Sequence, residues 1–445
     1  MRKYAVRMWT KMRNRYFILL SVIPLLVAGC VQRVQTPTAG QPTAAGGGGA
    51  GGAVDLVLYV WNEVTELQAN QALITEFEQQ HPGIKVRIQN MSSSRDAMQK
   101  LQTMMAAGTP PDVMALHGAY YLPFASKRVL LDLGPFLEKD KEFNLEDIYP
   151  RLLDICRWQG KLYSLPRYSS VLALIYNKAL FDAAGVPYPG QGKSWTWDDY
   201  LATCRKLTTG QGANQKWGAY IDFYDTRLYP WLWQNGANIL SDDKNKCVID
   251  SPQAVEAISF VRDLRLKYGI CPPTTAERNE GLNMLMAGRV AMFMGLPSDV
   301  QTLLGQPALK WDVAPPPTRK QAATLLGTEN YAIAAKSKHP QEAWELFKFL
   351  LSAHAQEYMA TKLDRMPSRK SVAEGAYLTT PAKYDRKVFV DALSYGRTPL
   401  NITQWDQASH YLKDQFDLIW VGKKSVDQGL KDAAENVNKL LAKGE

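Results

Sequence analysis

The chain has 445 residues, too many for one hydrophobic core, so two domains or lobes are the starting expectation. Its formal charge is +9, but six Lys and Arg and no acid fall within residues 1–29, which brings the remainder from +9 to +3. That balance argues against a nucleic-acid surface, and five histidines with no CxxC pair argue against a metal site; no cofactor is implied.

Met1 to Arg15 carries Arg2, Lys3, Arg7, Lys11, Arg13 and Arg15, and the apolar run Tyr16 to Val27 follows, ending at Leu26-Val27-Ala28-Gly29-Cys30. This is the layout of a secretory signal. The run is shorter than the roughly 20 residues that a membrane-crossing helix needs. Leu-Val-Ala-Gly-Cys resembles the bacterial lipobox, so residues 1–29 are read as a lipoprotein signal peptide and Cys30 as the lipidated N-terminus. Residues 30–53, built largely from Gly, Ala, Thr, Pro and Gln, have almost nothing to bury and read as a flexible, lipid-anchored tether. The other cysteines, Cys156, Cys204, Cys247 and Cys271, permit three disulfide pairings or separate buried thiols.

Leu56 to Trp61 reads as a strand and Thr65 to Gln80 as a helix stopped by His81-Pro82-Gly83. Ile84, Val86 and Ile88 alternate with polar residues, Arg95 to Ala107 reads as helix, and Asp112 to Leu116 as strand. Strands alternating with helices call for a mainly parallel sheet, and ligands collect beyond the carboxyl ends of such strands. The pattern renews itself after Leu165-Pro166, with strands over Val171 to Tyr176, Trp217 to Ile221, Val290 to Met294 and Tyr331 to Ala335. Helices are expected over Lys178 to Ala184 and Trp197 to Leu207, from Ser251-Pro252 to Gly269, and over Glu342 to Leu351, Tyr411 to Trp420 and Val426 to Ala442.

Several stretches together carry a resemblance: Trp61-Asn62, Pro111-Asp112-Val113, Tyr163-Ser164-Leu165-Pro166, Leu174-Ile175-Tyr176-Asn177-Lys178, Trp195-Thr196-Trp197-Asp198-Asp199, Gly288 to Gly295, Asn330 to Ile333 and Glu342 to Leu350. In this order, roughly between Val54 and Leu441, they resemble the extracellular solute-binding proteins of the maltose-binding type, the carbohydrate receptors of ABC importers. The resemblance implies an α/β, two-lobed periplasmic-binding-protein-like fold with a ligand cleft between the lobes. It places chain crossings near Pro166 to Val171, Leu325 to Asn330 and Lys362 to Pro367. The N-terminal lobe would be 54–165 with 327–361, and the C-terminal lobe 167–326 with 366–445. The implied partners are a small-molecule carbohydrate, the ABC permease subunits and, through the lipid anchor, the membrane outside the cytoplasm; the chain is read as a monomer.

A sugar offers hydroxyls that need paired donors and acceptors, and C–H faces that lie on aromatic rings. The densest aromatic segment, Tyr220 to Trp233, follows an expected strand and supplies Asp222, Tyr224, Trp231 and Trp233, with Tyr224 and Trp231 the first choices as platforms. Trp61, Asn62 and Glu63 end the first strand, and His117 and Tyr120 follow the third. Tyr168 lies on the first crossing, Gly295 ends a strand where backbone can approach a ligand, and Thr328, Glu329 and Asn330 lie on the second crossing. Arg365, beside the third crossing, and Trp405, before a late helix, are carried over from the resemblance alone.

There is no GxGxxG, Walker loop, HExxH or nucleophile elbow, and nothing announces an enzyme. The rival is a secreted glycoside-cleaving enzyme, which would need two carboxylates across its cleft, with Glu63, Asp222 and Glu329 as candidates. The same scaffold could instead bind a polyamine or a peptide. Replacing Cys30 by Ser is expected to abolish incorporation of labelled lipid; unchanged labelling of the variant removes the anchor.

Overall fold

The computed structural model describes residues 53–190, 195–222, 225–273, 280–398 and 402–443. Cys30 and Tyr224 lie outside the described residues. In chain order the strands are β1 (Val54–Trp61), β2 (Ile84–Met91), β3 (Val113–His117), the short hairpin β4 (Arg157–Trp158) and β5 (Lys161–Leu162), β6 (Leu165–Val171), β7 (Ala173–Asn177), β8 (Met292–Gly295), β9 (Trp311–Ala314), β10 (Thr324–Ile333) and β11 (Gly396–Arg397).

β1 is apolar on both faces because it is central: Leu56, Leu58 and Val60 enter one core, while Tyr59 on the other face donates its hydroxyl to Ala97 O at 2.9 Å. β2 and β3 flank β1 in parallel, as the alternation of strands and helices requires. The helix Val64–Gln80 packs Ile74 and Phe77 into this core, and the helix Ser94–Ala106 starts where the Ser93 hydroxyl accepts from Asp96 N. Pro340–Leu350 returns to the same core with Ala343, Trp344 and Phe347.

The second sheet is antiparallel, β8–β7–β9, with β7 in the middle. The expected strand Trp217 to Ile221 is reduced to two bridges, Trp217 to Val290 and Tyr220 to Phe293. Between them Gly218 presses on the backbone of Cys204, so only a residue without a Cβ fits there. The helix Trp197–Leu207, closed at its start by a Thr196–Asp199 capping box, covers this sheet together with Pro252–Leu266, Trp405–Trp420 and Val426–Leu441. Cys156, Cys204, Cys247 and Cys271 are buried free thiols.

Two long strands tie the sheets together. β10 pairs antiparallel with β3 through Glu329–His117 to Ile333–Val113, and with β6 from Tyr331–Leu165 to Leu326–Val171, slipping by one residue at Glu329/Asn330. β6 runs directly on to β7, one residue later. A third pass joins them, since Ser169 N donates to Met366 O at 3.0 Å and the Ser368 hydroxyl is held by Pro166 O. The chain then stays against the first sheet's side further than expected: Arg369 donates to Phe143 O, Asn144 O and Leu351 O and pairs with Asp147 at 3.2 Å. No helix among the described residues is long and apolar enough to cross a membrane.

Candidate functional site

β1 and β3 are parallel, so their carboxyl ends, with Asn62 after one and His117 at the other, open on the same side. Antiparallel β10 brings Glu329 opposite His117, and β6 brings Tyr168 opposite Glu329. The turn after β3 lies directly on β10: a Cβ on Gly118 would meet the Thr328 hydroxyl oxygen at 2.5 Å and Thr328 O at 2.9 Å, so glycine is needed for the approach. Tyr120 beyond that turn is 46 % exposed, with its ring 5.6 Å from that of His117.

At the base of this opening sits a cluster of alternating charges that the sequence reading missed in part. Arg167 on β6 is buried, 2 % exposed, and bonds the Glu329 carboxylate at 2.7 Å, the Tyr331 hydroxyl at 3.0 Å and approaches Glu66 at 3.4 Å. Glu66, in the first turn of the helix Val64–Gln80, is also paired with Arg365. The rings of Tyr168, Tyr331 and Trp61 lie 4.6, 5.1 and 5.8 Å from the Arg167 guanidinium carbon. Two cations and two acids leave the cluster neutral.

Burial pushes the Glu329 carboxyl up, but Arg167, helped by Arg365 and His117, outweighs it and holds the group below the usual carboxylate range. Burial likewise opposes the charge on Arg167, and Tyr331, Glu329 and Glu66 more than restore it. Tyr168 is pushed well above the ordinary phenol range by burial and then by Glu66, so it stays neutral. Removing one member of such a buried set is strongly destabilising, on the order of 3–5 kcal/mol. Arg167 was legible as a charge inside an otherwise apolar and small-residue strand, and Glu66 as an acid on the buried stripe of Asn70, Leu73 and Phe77.

Asn62 is built into the scaffold. Its N–H donates to Asn90 Oδ1 at 2.7 Å and its side-chain oxygen accepts from Asn70 at 3.0 Å, while its Nδ2 is buried without a hydrogen-bond partner among the described residues. Glu63 is exposed at the start of the following helix.

On the second sheet's side, Asp222 lies 3.8 Å from Arg227, whose guanidinium is 3.7 Å from Asp299 and donates to Met294 O. Asp299 in turn accepts from Leu296 N at 2.7 Å. Arg227 and Asp299 were also missed; they form the frame that holds Asp222 beside the end of β8. At Gly295 a Cβ would run into the Ile175 side chain, so packing within the sheet by itself calls for glycine there.

Five further candidates, Trp231, Trp233, Trp405, Thr328 and Asn330, pack against neighbouring protein. Trp231 is 2 % exposed, with its ring 5.4 Å from Trp197, 5.5 Å from Tyr200 and 5.9 Å from Phe260, and is core. The aromatic segment forms the helix Asp225–Gln234, not a cleft loop, and a helix must turn one face into the core. Trp233 and Trp405 both pack on Tyr229, at 5.5 and 6.0 Å, and Trp233 with Tyr229 lines a cavity of about 290 Å³ together with Arg151, Asp154, Asn238 and Arg397. Asn330 is fully enclosed between Leu116 and Pro166, and Thr328 lies under the Gly118 turn, because alternate residues of β10 point to opposite faces. Only Glu329 of that triplet reaches the opening. No group of three or more potential metal ligands occurs among the described residues.

An α/β scaffold whose two sheets are joined by strands, with polar and aromatic groups at the joint, is the architecture of a two-lobed binding protein. Residues 61–357 match the bacterial extracellular solute-binding protein family, and the chain belongs to it. It is 26 % identical over 376 residues to a putative binding protein of Brucella abortus, covering 82 % of this chain and 88 % of that one. Its fold matches an ABC substrate-binding protein of Listeria monocytogenes in complex with cycloalternan (27 % identity, TM-score 0.78, 88 % of this chain and 99 % of that). It also matches an ABC transporter solute-binding protein of Thermotoga lettingae bound with α-D-tagatose (26 % identity, TM-score 0.75, 87 % and 100 %). The chain is thus a substrate-binding protein of an ABC transporter.

Trp231→Ala is expected to lower stability by about 3–5 kcal/mol, the range for emptying an aromatic core position, and to leave ligand affinity per folded molecule unchanged. Thermal unfolding and calorimetric titration on the same samples check both; a loss of affinity without a loss of stability restores Trp231 as a ligand platform.

Proposed function

We propose that this protein captures a neutral carbohydrate outside the cytoplasmic membrane by closing its two lobes about β6, β10 and the pass at 364–368, and delivers it to an ABC permease while tethered through a lipid on Cys30. The observation that carries the reading is the neutral cluster at the joint. Glu329 and Arg365 keep 30 % and 24 % of their side chains exposed, and Tyr120 and Trp61 lie nearby. A carboxylate beside a guanidinium offers acceptors and donors for adjacent hydroxyls with no net charge to attract an ion. The cycloalternan and tagatose bound by the two structural relatives are carbohydrates, which supports the class but not one sugar.

The glycoside-cleaving alternative needs one carboxyl held protonated as a general acid. Glu329 is held in the opposite direction by Arg167, and Asp222 sits beside Arg227. A polyamine would want an excess of acids; at the joint Arg167 and Arg365 balance Glu66 and Glu329, and the Asp222–Arg227–Asp299 frame carries a single acid in excess. Both observations favour a receptor for a neutral ligand.

Lobe closure needs ligand contacts that are made in the closed form and absent from the open one. Residues 51–445 should therefore show raised melting temperatures with maltose, raffinose or galacto-oligosaccharides, with about 2.7 kcal/mol gained at a hundredfold excess over Kd. Small-angle scattering should show a smaller radius of gyration with the bound sugar, and the sugar should be recovered intact. Stabilisation by spermidine or peptides alone, or turnover of the oligosaccharide, would sink the proposal.

A further inference from the structure

The four charges at the joint divide into two kinds by exposure. Arg365 and Glu329, at the two ends of the series Arg365–Glu66–Arg167–Glu329, reach solvent; Glu66 and Arg167, in the middle, are 4 % and 2 % exposed and 3.4 Å apart. The inner two cannot touch a ligand. They come from the helix after β1 and from β6, whereas the outer two come from β10 and the third pass, so the inner pair ties together the segments that carry the outer pair.

We infer that Glu66 and Arg167 are positioning residues for sugar recognition, fixing Glu329 as an ionised acceptor and Arg365 as an oriented donor for adjacent hydroxyls. This rests on the carbohydrate reading above. The chemistry follows from the guanidinium fork. Arg167 uses one nitrogen for the Tyr331 hydroxyl and another for Glu329 Oε2, so one carboxylate oxygen is anchored and the other can accept from a ligand. Glu66, in the first turn of its helix, holds one nitrogen of Arg365 in the same way. An exposed Glu and Arg side by side without this backing would collapse onto each other and spend their hydrogen bonds there.

The groups facing Glu329 are Arg167 on β6, Arg365 on the third pass, His117 on β3, Tyr168, and Tyr331 on its own strand, with Glu66 sharing the same Arg167 nitrogen. With Arg167 in place, Glu329 stays ionised well into the acid range. With Arg167 and Glu66 both neutralised, burial is opposed only by Arg365 and a protonated His117, and the carboxyl takes up its proton at higher pH.

The test is the charge-balanced variant E66Q/R167Q in the full chain, compared with wild type and with E66Q/R167Q/E329Q. Affinity for maltose and raffinose is measured by calorimetry from pH 4.5 to 7.5, and the Glu329 carboxyl is followed by ¹³C NMR in the ligand-free protein. The inference expects Glu329 to titrate at higher pH in the double variant, with binding of whichever sugar wild type takes at least about tenfold weaker at pH 7. That binding should weaken further in acid, and the acid step should vanish in the triple variant. Glu329 titrating as in wild type, or affinity within twofold and flat with pH, overturns it. If the double variant does not fold, R167K keeps the charge but replaces the two separate nitrogens that reach Tyr331 and Glu329 by a single ammonium on a shorter, unforked side chain. It should bind several-fold more weakly with Glu329 still ionised, and unchanged affinity overturns the inference. Should wild type bind neither sugar, the carbohydrate proposal suffers and the NMR titration still decides whether the inner pair governs Glu329.

Discussion

The Arg167 guanidinium is a charge withdrawn from water, and much of the joint between the sheets follows from the need to satisfy it. An arginine cannot escape burial by losing its proton, so its surroundings must supply acceptors. They do so from three directions: Glu329 and Tyr331 on β10, Glu66 on the first helix, and the faces of Tyr168 and Trp61. Because those partners lie on separate passages of the chain, satisfying one side chain fixes how β6, β10 and the start of the first lobe's helix meet. The slip in pairing between β6 and β10 falls at Glu329/Asn330, the level at which Arg167 leaves the sheet to reach its partners.

Legibility from the sequence varied with the kind of physics involved. β1, β2 and β3 and the helices between them follow from period and punctuation, which are local, and their ends shifted by only one or two residues. The crossings β6 and β10 were legible through resemblance. Tertiary facts were not: Trp217 to Ile221 has a strand's composition, yet close packing of Gly218 on Cys204 leaves it only bridges. The aromatic segment misled for a related reason. Trp, Tyr and Phe suit a sugar platform and a core equally well, and what separates them is the helical phase of Asp225–Gln234 relative to Trp197 and Phe260. The buried charges Glu66 and Arg167, which the sequence reading passed over, carry a separate signal, since a charge that folding buries needs a partner.

Gly118 and Gly295 show the same point from the opposite direction. Both stand at strand ends that face the opening, where a glycine invites the idea of a ligand pressed on backbone. Their immediate neighbours are protein: β10 for Gly118 and Ile175 for Gly295. In both places the missing Cβ lets neighbouring elements converge.

How far such a site can drive closure is a matter of magnitude. Turning a lobe equilibrium from 1:99 to 99:1 requires about 5.5 kcal/mol of differential affinity. A hydrogen bond to a charged group contributes roughly 1.5–3 kcal/mol, so two or three such bonds made only in the closed form are enough. On the proposed reading, Glu329, Arg365 and Asp222, each paired with a charged partner, would supply bonds of that number and kind. Holding them rigid matters because ordering a long flexible side chain on binding costs about 0.5–1.5 kcal/mol, a loss comparable with the gain. On the proposed reading, the buried Glu66–Arg167 pair would therefore let few contacts suffice for closure on a neutral ligand.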